Sequence, residues 1–415
     1  MRLATGLWGA ILEAWSELRI HKTRVLLSLI GVAVAVAALT AVVALGQIAT
    51  QAQVESAERS SGRPAMLAIN AYDPTGATVD ARALNDAFDT AVERYQVKYS
   101  SRSGYLDTSA QFADGVSGVY GQAVDVDFGT MHRVTLKEGE WFTAADEDRL
   151  APAIIVNEAF WQRLGSPDLA THPTAEILGA SVNPGVAAST PYTAVVIGVT
   201  PSSAFDTMPS MVMLYSAWER TSSPEAIAQQ QATYEMWVPP EISKELIPLI
   251  ERDMAGVLEG GAQVSVNRQD YLAYEGFNDS MKILNLLIAG GSILILLLGA
   301  LGLVNISLVT VRQRIREIGI RRSFGATAGR VFFAVMMESI VATAVAGVIG
   351  VILAVLIVQS PLVQDAVSQG IVDAPAFPAQ AAVIGILSAI AVGALAGLLP
   401  ALVAVRVKVI DAIRY

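Results

Sequence analysis

The side chains best placed for chemistry lie in a charged segment between two long apolar runs. The segment VRQRIREIGIRRSFGATAGRVFF, Val311 to Phe333, holds six arginines and one glutamate, whereas the whole chain has a formal net charge of -10. Guanidinium groups at this density form ion pairs with a protein partner or contact anionic lipid headgroups. The chemistry that the segment predicts is therefore binding.

Residues for catalysis are sparse. The sequence has no cysteine and no G-x-S-x-G, H-E-x-x-H or G-x-x-x-x-G-K-[ST] motif. The histidines are scattered, at His21, His132 and His172. Without a phosphate-binding loop the chain is not expected to hydrolyse ATP, and we predict that it is not an enzyme.

Two acidic clusters raise the question of a metal site. Asp125 with Asp127, and Asp146 with Asp148, could attract calcium. A calcium site needs several oxygen donors in a defined loop. We therefore interpret both clusters as solvated surface acids and predict no metal site.

Composition indicates a membrane protein with a large water-exposed part. The 415 residues are 53% hydrophobic and 16% charged, with a mean hydropathy of +0.48. Crossing about 30 Å of hydrocarbon takes roughly 20 helical residues. Four transmembrane helices are predicted over 25–49, 281–311, 331–359 and 381–405. The long interval 50–280 has ordinary globular composition, so it predicts a folded domain large enough to bury its own core.

The distribution of charge predicts the topology. Residues 1–24, 312–330 and 406–415 together hold 13 of the 28 basic residues, and basic residues accumulate in cytoplasmic segments. These segments are expected in the cytoplasm, with the acidic domain outside and 360–380 as a short outer loop. Residues 1–24 have the apolar spacing of an interfacial amphipathic helix. A cleavable signal over 1–46 and a soluble helix packed on a partner are the alternatives.

The outer domain is predicted to mix helices and strands. Runs rich in β-branched and aromatic residues predict strands over 151–156, 192–199, 210–215 and 232–238. Helices are predicted over 80–97, 241–258 (with Pro248 inside) and from the N-cap Asn157 to Gly165. Because no regular βαβ period appears, an α+β fold is favoured over a doubly wound sheet.

Small residues recur every four positions in the last two membrane windows. They are Ala342, Ala346, Gly350 and Ala354 in one window, and Gly385, Ala389, Gly393, Gly397 and Ala401 in the other. This spacing predicts close packing of the two helices, although glycine and alanine are common in membrane helices anyway. Of the intramembrane polar residues Asn305 and Glu338, Glu338 is expected to pair, either with Asn305 or with an arginine of the charged segment. A structural hydrogen bond is favoured over a proton-coupled role.

The charged segment and its flanking apolar runs carry a family resemblance. The stretch LLGALGLVNISLVTVRQRIREIGIRRSFGATAGRVFFAVMMESI resembles the core of FtsX-like permeases, the membrane subunits of type VII ABC transporters. The segments LKEGEWFTAADEDRLAPAIIVNEAFWQRLG and YTAVVIGVTPS are similar to a MacB-like periplasmic core domain. In the charged segment only Ser323 departs from the family pattern, which usually has alanine there.

The resemblance implies a mechanotransmission permease in a bacterial inner or plasma membrane, with both termini cytoplasmic. Such chains dimerise with a second copy or a homologue and dock a cytoplasmic ABC ATPase dimer. ATP and Mg²⁺ are bound by that ATPase, and no cofactor by this chain. An extracytoplasmic adaptor, lipoprotein or hydrolase is a further possible partner, and nucleic acid is not. An FtsX-like regulator that activates a cell-wall hydrolase or senses an extracellular ligand is the alternative function.

The resemblance also assigns residues for coupling to the ATPase. They are Arg314, Glu317, Ile318, Gly319, Ile320, Arg321, Arg322, Gly325, Ala326 and Thr327. Glu317, Arg321 and Arg322 are expected to form ion pairs with the ATPase, and Ile318 and Ile320 to anchor it. Gly325 is expected to let the chain turn into the third membrane helix. Attraction to lipid headgroups alone is the competing interpretation.

Overall fold

The computed structural model describes most of the chain as two compact units. Among the described residues, one unit contains 22–51 and most of 279–406, and the other is the outer domain, Ala52–Asn278. The described residues are 22–76, 79–180, 191–201, 208–229, 232–258, 261–313, 315–367 and 376–406. The predicted amphipathic helix over 1–24 and the tail after residue 406 lie essentially outside these ranges.

The α-helices are numbered along the chain. They are α1 (Lys22–Ser61), α2 (Ala81–Arg94), α3 (Phe128–Met131), α4 (Glu158–Arg163), α5 (Tyr215–Thr221), α6 (Pro224–Gln229), α7 (Ser243–Val257), α8 (Glu275–Gln313), α9 (Ile315–Ser323), α10 (Ala328–Val358), α11 (Pro361–Val367) and α12 (Ala379–Arg406). The strands are β1 (Met66–Tyr72), β2 (Tyr99–Phe112), β3 (Gly115–Val124), β4 (Glu138–Gly139), β5 (Ala153–Asn157), β6 (Thr174–Ala180), β7 (Tyr192–Thr200), β8 (Ser210–Leu214), β9 (Thr233–Trp237) and β10 (Gln263–Arg268).

Four of these helices are long and apolar enough to cross a membrane, as predicted: α1, α8, α10 and α12. Two of them extend further toward the outer domain than the apolar windows do. Helix α1 continues to Ser61 and α8 begins at Glu275. Hydropathy marks only the apolar part of a helix, whereas the alanine, glutamine and glutamate that follow in α1 are good helix formers in water.

The outer domain is built on one ten-stranded sheet. Its strand order is β10-β1-β9-β2-β3-β8-β5-β7-β4, and β6 pairs with β2 and β7. Most pairs are antiparallel, but β3–β8 and β5–β7 are parallel. The α+β prediction is confirmed, and the four predicted strands are β5, β7, β8 and β9. The long hairpin β2–β3 was missed because serine, glycine and glutamine interrupt its alternation of apolar residues.

In the described part of the outer domain, two hydrophobic cores define two lobes. The larger lobe packs around β5, β7 and β8, with Phe160 and Trp218 among its buried side chains. The smaller lobe packs α2 and α7 against β1, β9 and β10. The lobes share the sheet at the junction of β9 and β2, which pair over five residues. The predicted cap Asn157 is confirmed, since its side chain accepts from the Phe160 N–H, and Asp80, where a helix was predicted to begin, caps α2.

Small residues bring the membrane helices close together. All five residues of the last window that were singled out are buried in α12. In α10, Gly347 faces Ala389 of α12, so the predicted close packing of these helices is confirmed. Gly350, however, faces the backbone of α1: a Cβ there would lie 2.6 Å from the Ala33 carbonyl oxygen. A four-residue repeat shows which face of a helix carries small residues, but not which neighbouring helix packs against that face.

Candidate functional site

The arginine-rich segment folds as the short helix α9 between α8 and α10. Its end is a left-handed turn at Gly325, where φ is +91°. The Gly325 N–H donates to the Arg322 carbonyl and the Ala326 N–H to the Arg321 carbonyl. This pattern is a Schellman motif, which satisfies the open carbonyls of a helix end. The Thr327 side chain then caps α10 by accepting from the Arg330 N–H. Two helix ends are thus joined by a four-residue connection.

One face of α9 packs against its own chain. Ile318 is only 8% exposed and lies in a small cluster with Val311, Val331 and Ala404. Arg322 donates to the Val405 carbonyl oxygen at 3.0 Å. That carbonyl is in the last turn of α12, where no intrahelical partner remains. Ile318 therefore does not stand as an exposed anchor here, and Arg322 is engaged within the chain. Gly319 is buried beside Ile318.

An exposed stripe of four side chains runs along the other side of α9 and onto the residue after it: Glu317, Ile320, Arg321 and Phe324. Their spacing of i, i+3, i+4 and i+7 puts them along one face. Arg321 contacts Glu317 at 3.0 Å across one turn. Ile320 is 49% exposed and Phe324 is 88% exposed. We call these four residues the outer stripe.

Phe324 is the member of this surface that the sequence assignment left out. It has the spacing of the stripe, and that spacing was the available signal. Two other assigned residues have local roles: Thr327 caps α10, and Ala326 packs beside the Ile318 cluster. Arg314 lies outside the described residues.

The two intramembrane polar residues differ in environment. Asn305 is exposed on α8 and Glu338 is half-buried on α10. Their pairing stays a prediction.

Three of the four acids considered for calcium have structural partners. Asp125 accepts from the Arg102 backbone N–H at 2.7 Å and from its Nε at 2.9 Å. Asp127 accepts from the Ser100 N–H, and Asp146 forms a capping box with Thr143. Within the described parts of the chain, no three His, Asp or Glu side chains are grouped so as to hold a metal ion.

Arg102 also lies between further carboxylates where the two lobes meet. Burial raises the pKa of Asp89 on α2 and of Glu219 on α5, and the positive charge of Arg102 offsets part of this rise. Asn85 of the smaller lobe donates to Glu219 of the larger lobe at 3.3 Å. The lobe junction therefore holds partly buried carboxylates whose pKa values are raised by burial.

Two family models match the chain in sequence. The model for the MacB-like periplasmic core domain covers residues 25–251, more than half of the chain. The model for the FtsX-like permease C-terminal domain covers residues 289–409. The second match includes α9, the outer stripe and both helices α10 and α12.

Curated relatives match along almost all of the chain. An uncharacterized ABC transporter permease of Bacillus subtilis, YvrN, is 27% identical over 95% of this chain and 96% of its own length. The macrolide export ATP-binding/permease protein MacB of Nitrobacter winogradskyi is 24% identical over 99% of this chain. The chain spans only 61% of that MacB protein.

Two of the solved structures that match this chain are of outer domains. The extracellular domain of the noncanonic ABC-type transporter YknZ from Gram-positive bacteria aligns with 48% of this chain, at 11% identity and a TM-score of 0.34. The periplasmic region of MacB from Actinobacillus actinomycetemcomitans aligns with 50%, at 11% identity and a TM-score of 0.36.

Proposed function

This chain belongs to the MacB-type ABC transporter permeases, with a MacB-like periplasmic core domain and an FtsX-like permease C-terminal domain, and from that premise we propose a mechanotransmission function. ATP binding and hydrolysis by a P-loop ATPase that is not encoded in these 415 residues would drive movement of the outer domain. The substrate would be exported or extracted at the outer face.

The observation that carries the proposal is the outer stripe of α9. An exposed phenylalanine and isoleucine beside a Glu–Arg pair combine apolar anchoring with charge complementarity, which is typical of a protein interface. Attraction to lipid headgroups needs basic charge only and gives no role to Glu317. The Schellman turn at Gly325 and the Ile318 cluster hold α9 so that this stripe points away from its own chain.

The same segment supports the proposed orientation. The described arginines Arg316, Arg321 and Arg330 are exposed in or beside α9, and positive charge concentrates on the cytoplasmic side of membrane proteins. We propose that α9 lies in the cytoplasm of a bacterial cell, that the acidic outer domain is extracytoplasmic, and that the permease works as a dimer with a second copy or a homologue.

Purification of the tagged chain from its native membrane in mild detergent, with mass spectrometry, tests the docking proposal. Phe324→Ala should lower recovery of a P-loop ATPase by about thirty-fold, since loss of an interface hot spot costs about 2 kcal/mol or more. Phe333→Ala is the matched control, because Phe333 is also well exposed (60%) but lies on α10, outside the stripe.

Equal ATPase recovery with Phe324→Ala and Phe333→Ala would contradict docking through the outer stripe. Glu317→Lys reverses one charge of the stripe and should also reduce recovery without changing membrane insertion. Recovery of a secreted hydrolase in place of export components would favour the alternative function, control of a cell-wall enzyme.

A further inference from the structure

The outer end of α1 is part of the outer domain, where it carries buried charge. Residues from Ala52 to the end of the helix at Ser61 belong to that domain. Glu55 and Glu58 on this stretch are 6% and 9% exposed. Buried carboxylates are unfavourable unless they are paired, so their partners show what holds this helix end.

Arg133 pairs with both carboxylates. Its Nη2 lies 3.2 Å from Glu55 Oε1, and its Nη1 lies 3.1 Å from Glu58 Oε2. The backbone of Arg133 has φ +47°, a left-handed conformation that is strained for a non-glycine residue. Such strain persists only where the surroundings determine the conformation, and it clusters at positions with a function.

His132, the neighbouring residue, joins the helix to the sheet. Its Nδ1 lies 3.1 Å from the Arg59 carbonyl oxygen, and its Nε2 lies 2.7 Å from Glu235 Oε2. The ring is 4% exposed and stacks on Phe128. A carbonyl oxygen only accepts, so Nδ1 donates to Arg59, and the second hydrogen bond joins Nε2 to the Glu235 carboxyl group. One imidazole thus makes hydrogen bonds to two different elements.

Three parts of the domain therefore meet at this ring: the end of α1, the segment after α3, and β9. Glu235 lies on β9, the strand through which the smaller lobe pairs with β2 of the larger lobe. The other carboxylate oxygen of Glu235 accepts from Gln269, which follows β10. Just after α1, Arg63 donates to the Met131 and Thr130 carbonyls of α3.

We propose that His132 is the positioning residue that fixes the outer end of α1 to β9, and that Arg133 holds the same helix end through its two ion pairs. We call these contacts of His132 and Arg133 the joint. A displacement of α1 along its axis is then carried into the sheet at the lobe junction instead of being lost in a flexible connection. This inference rests on the proposed function only for the cause of the displacement of α1, which is ATP binding and hydrolysis by the partner ATPase.

Spin-label distance measurements on the full chain in lipid nanodiscs test the joint. The sequence has no cysteine, so Ser56→Cys on α1 and Glu245→Cys on α7 give two unique, exposed labelling sites. The unmodified joint should give one narrow distance peak. His132→Ala and Arg133→Ala should lose that narrow peak, with circular dichroism confirming that the domain stays folded.

Two conservative variants test whether His132 must contact both Arg59 and Glu235, or whether one of the two contacts is enough. His132→Asn places a donor near the position of Nδ1, which faces Arg59, and His132→Gln places one near Nε2, which faces Glu235. If both contacts of His132 are needed, neither variant restores the narrow distance peak. A narrow peak in both variants would overturn the proposal, as would a narrow peak in folded His132→Ala. Arg133→Lys keeps the charge but loses the planar guanidinium that contacts Glu55 and Glu58 at once. Compared with Arg133→Ala, it should therefore restore the narrow distance peak only in part.

Adding the ATPase partner with a non-hydrolysable ATP analogue distinguishes the two proposals. With an intact joint, the distance from Ser56 to Glu245 stays constant when nucleotide binds, and it shifts in the His132 variants. A nucleotide-dependent shift in the unmodified chain would overturn the joint. If no ATPase partner is recovered, the proposed function fails, while the nucleotide-free distance peaks still decide the joint.

Discussion

Gly350 on α10 gives the most quantitative prediction about the membrane helices. In Gly350→Ala the new Cβ would lie 2.6 Å from the Ala33 carbonyl oxygen and 3.0 Å from the Ala37 nitrogen, whereas ordinary contact begins at 3.4 Å. Both neighbours are backbone atoms of α1, so no side chain can rotate away. The helix backbones must separate by about 0.8 Å, and overpacking of this kind costs about 1–3 kcal/mol.

The control is Gly302→Ala on α8, where no described atom lies within 4 Å of the new Cβ. Both changes gain the same helix propensity, about 1 kcal/mol, so this gain cancels when the two variants are compared. The free energy of unfolding of Gly350→Ala should therefore be lower than that of Gly302→Ala by about 1–3 kcal/mol.

The assay is reversible unfolding of the purified chain in mixed micelles by increasing SDS, followed by circular dichroism. Equal unfolding midpoints for the two variants would refute the packing of Gly350 on the α1 backbone. If Gly302→Ala lowered the free energy of unfolding as much as Gly350→Ala does, the loss would not depend on where the glycine lies.

Two more predictions concern the outer domain and α9. Burial raises the pKa of Asp89 and Glu219, so their ionised forms oppose folding at neutral pH, and this opposition disappears as the pH falls through the folded-state pKa values. Asp89→Asn with Glu219→Gln should therefore raise the thermal unfolding temperature at pH 7, with a gain that fades toward about pH 4; a gain that grows on acidification would contradict this. Gly325→Ala should lower stability by about 1 kcal/mol, because φ is +91° there, whereas Gly329→Ala inside α10 should raise it by about 0.5–1 kcal/mol. Equal effects in thermal unfolding would show that Gly325 does not need a left-handed backbone.

Local pattern was enough for the coarse architecture. Apolar windows long enough for a bilayer gave the four membrane helices, because crossing hydrocarbon demands an uninterrupted run of such residues. Strands with dense β-branched residues were also evident, as in β5 and β7. The β2–β3 hairpin was not, since serine, glycine and glutamine interrupt its apolar alternation and its further partners, β6, β8 and β9, lie far along the chain.

The sequence by itself determined the small-residue stripes, the basic segment, the cap Asn157 and the family to which the chain belongs. Only the tertiary structure decided which faces are used. Ile318 turned inward and Phe324 outward because α8, α10 and α12 cover one side of α9. His132, set aside in the sequence as one of three scattered histidines, met Glu235 across 103 positions of the chain. Spacing along the chain indicates the role that a residue can take. The residue that it contacts is decided by tertiary packing, which a local sequence pattern does not contain.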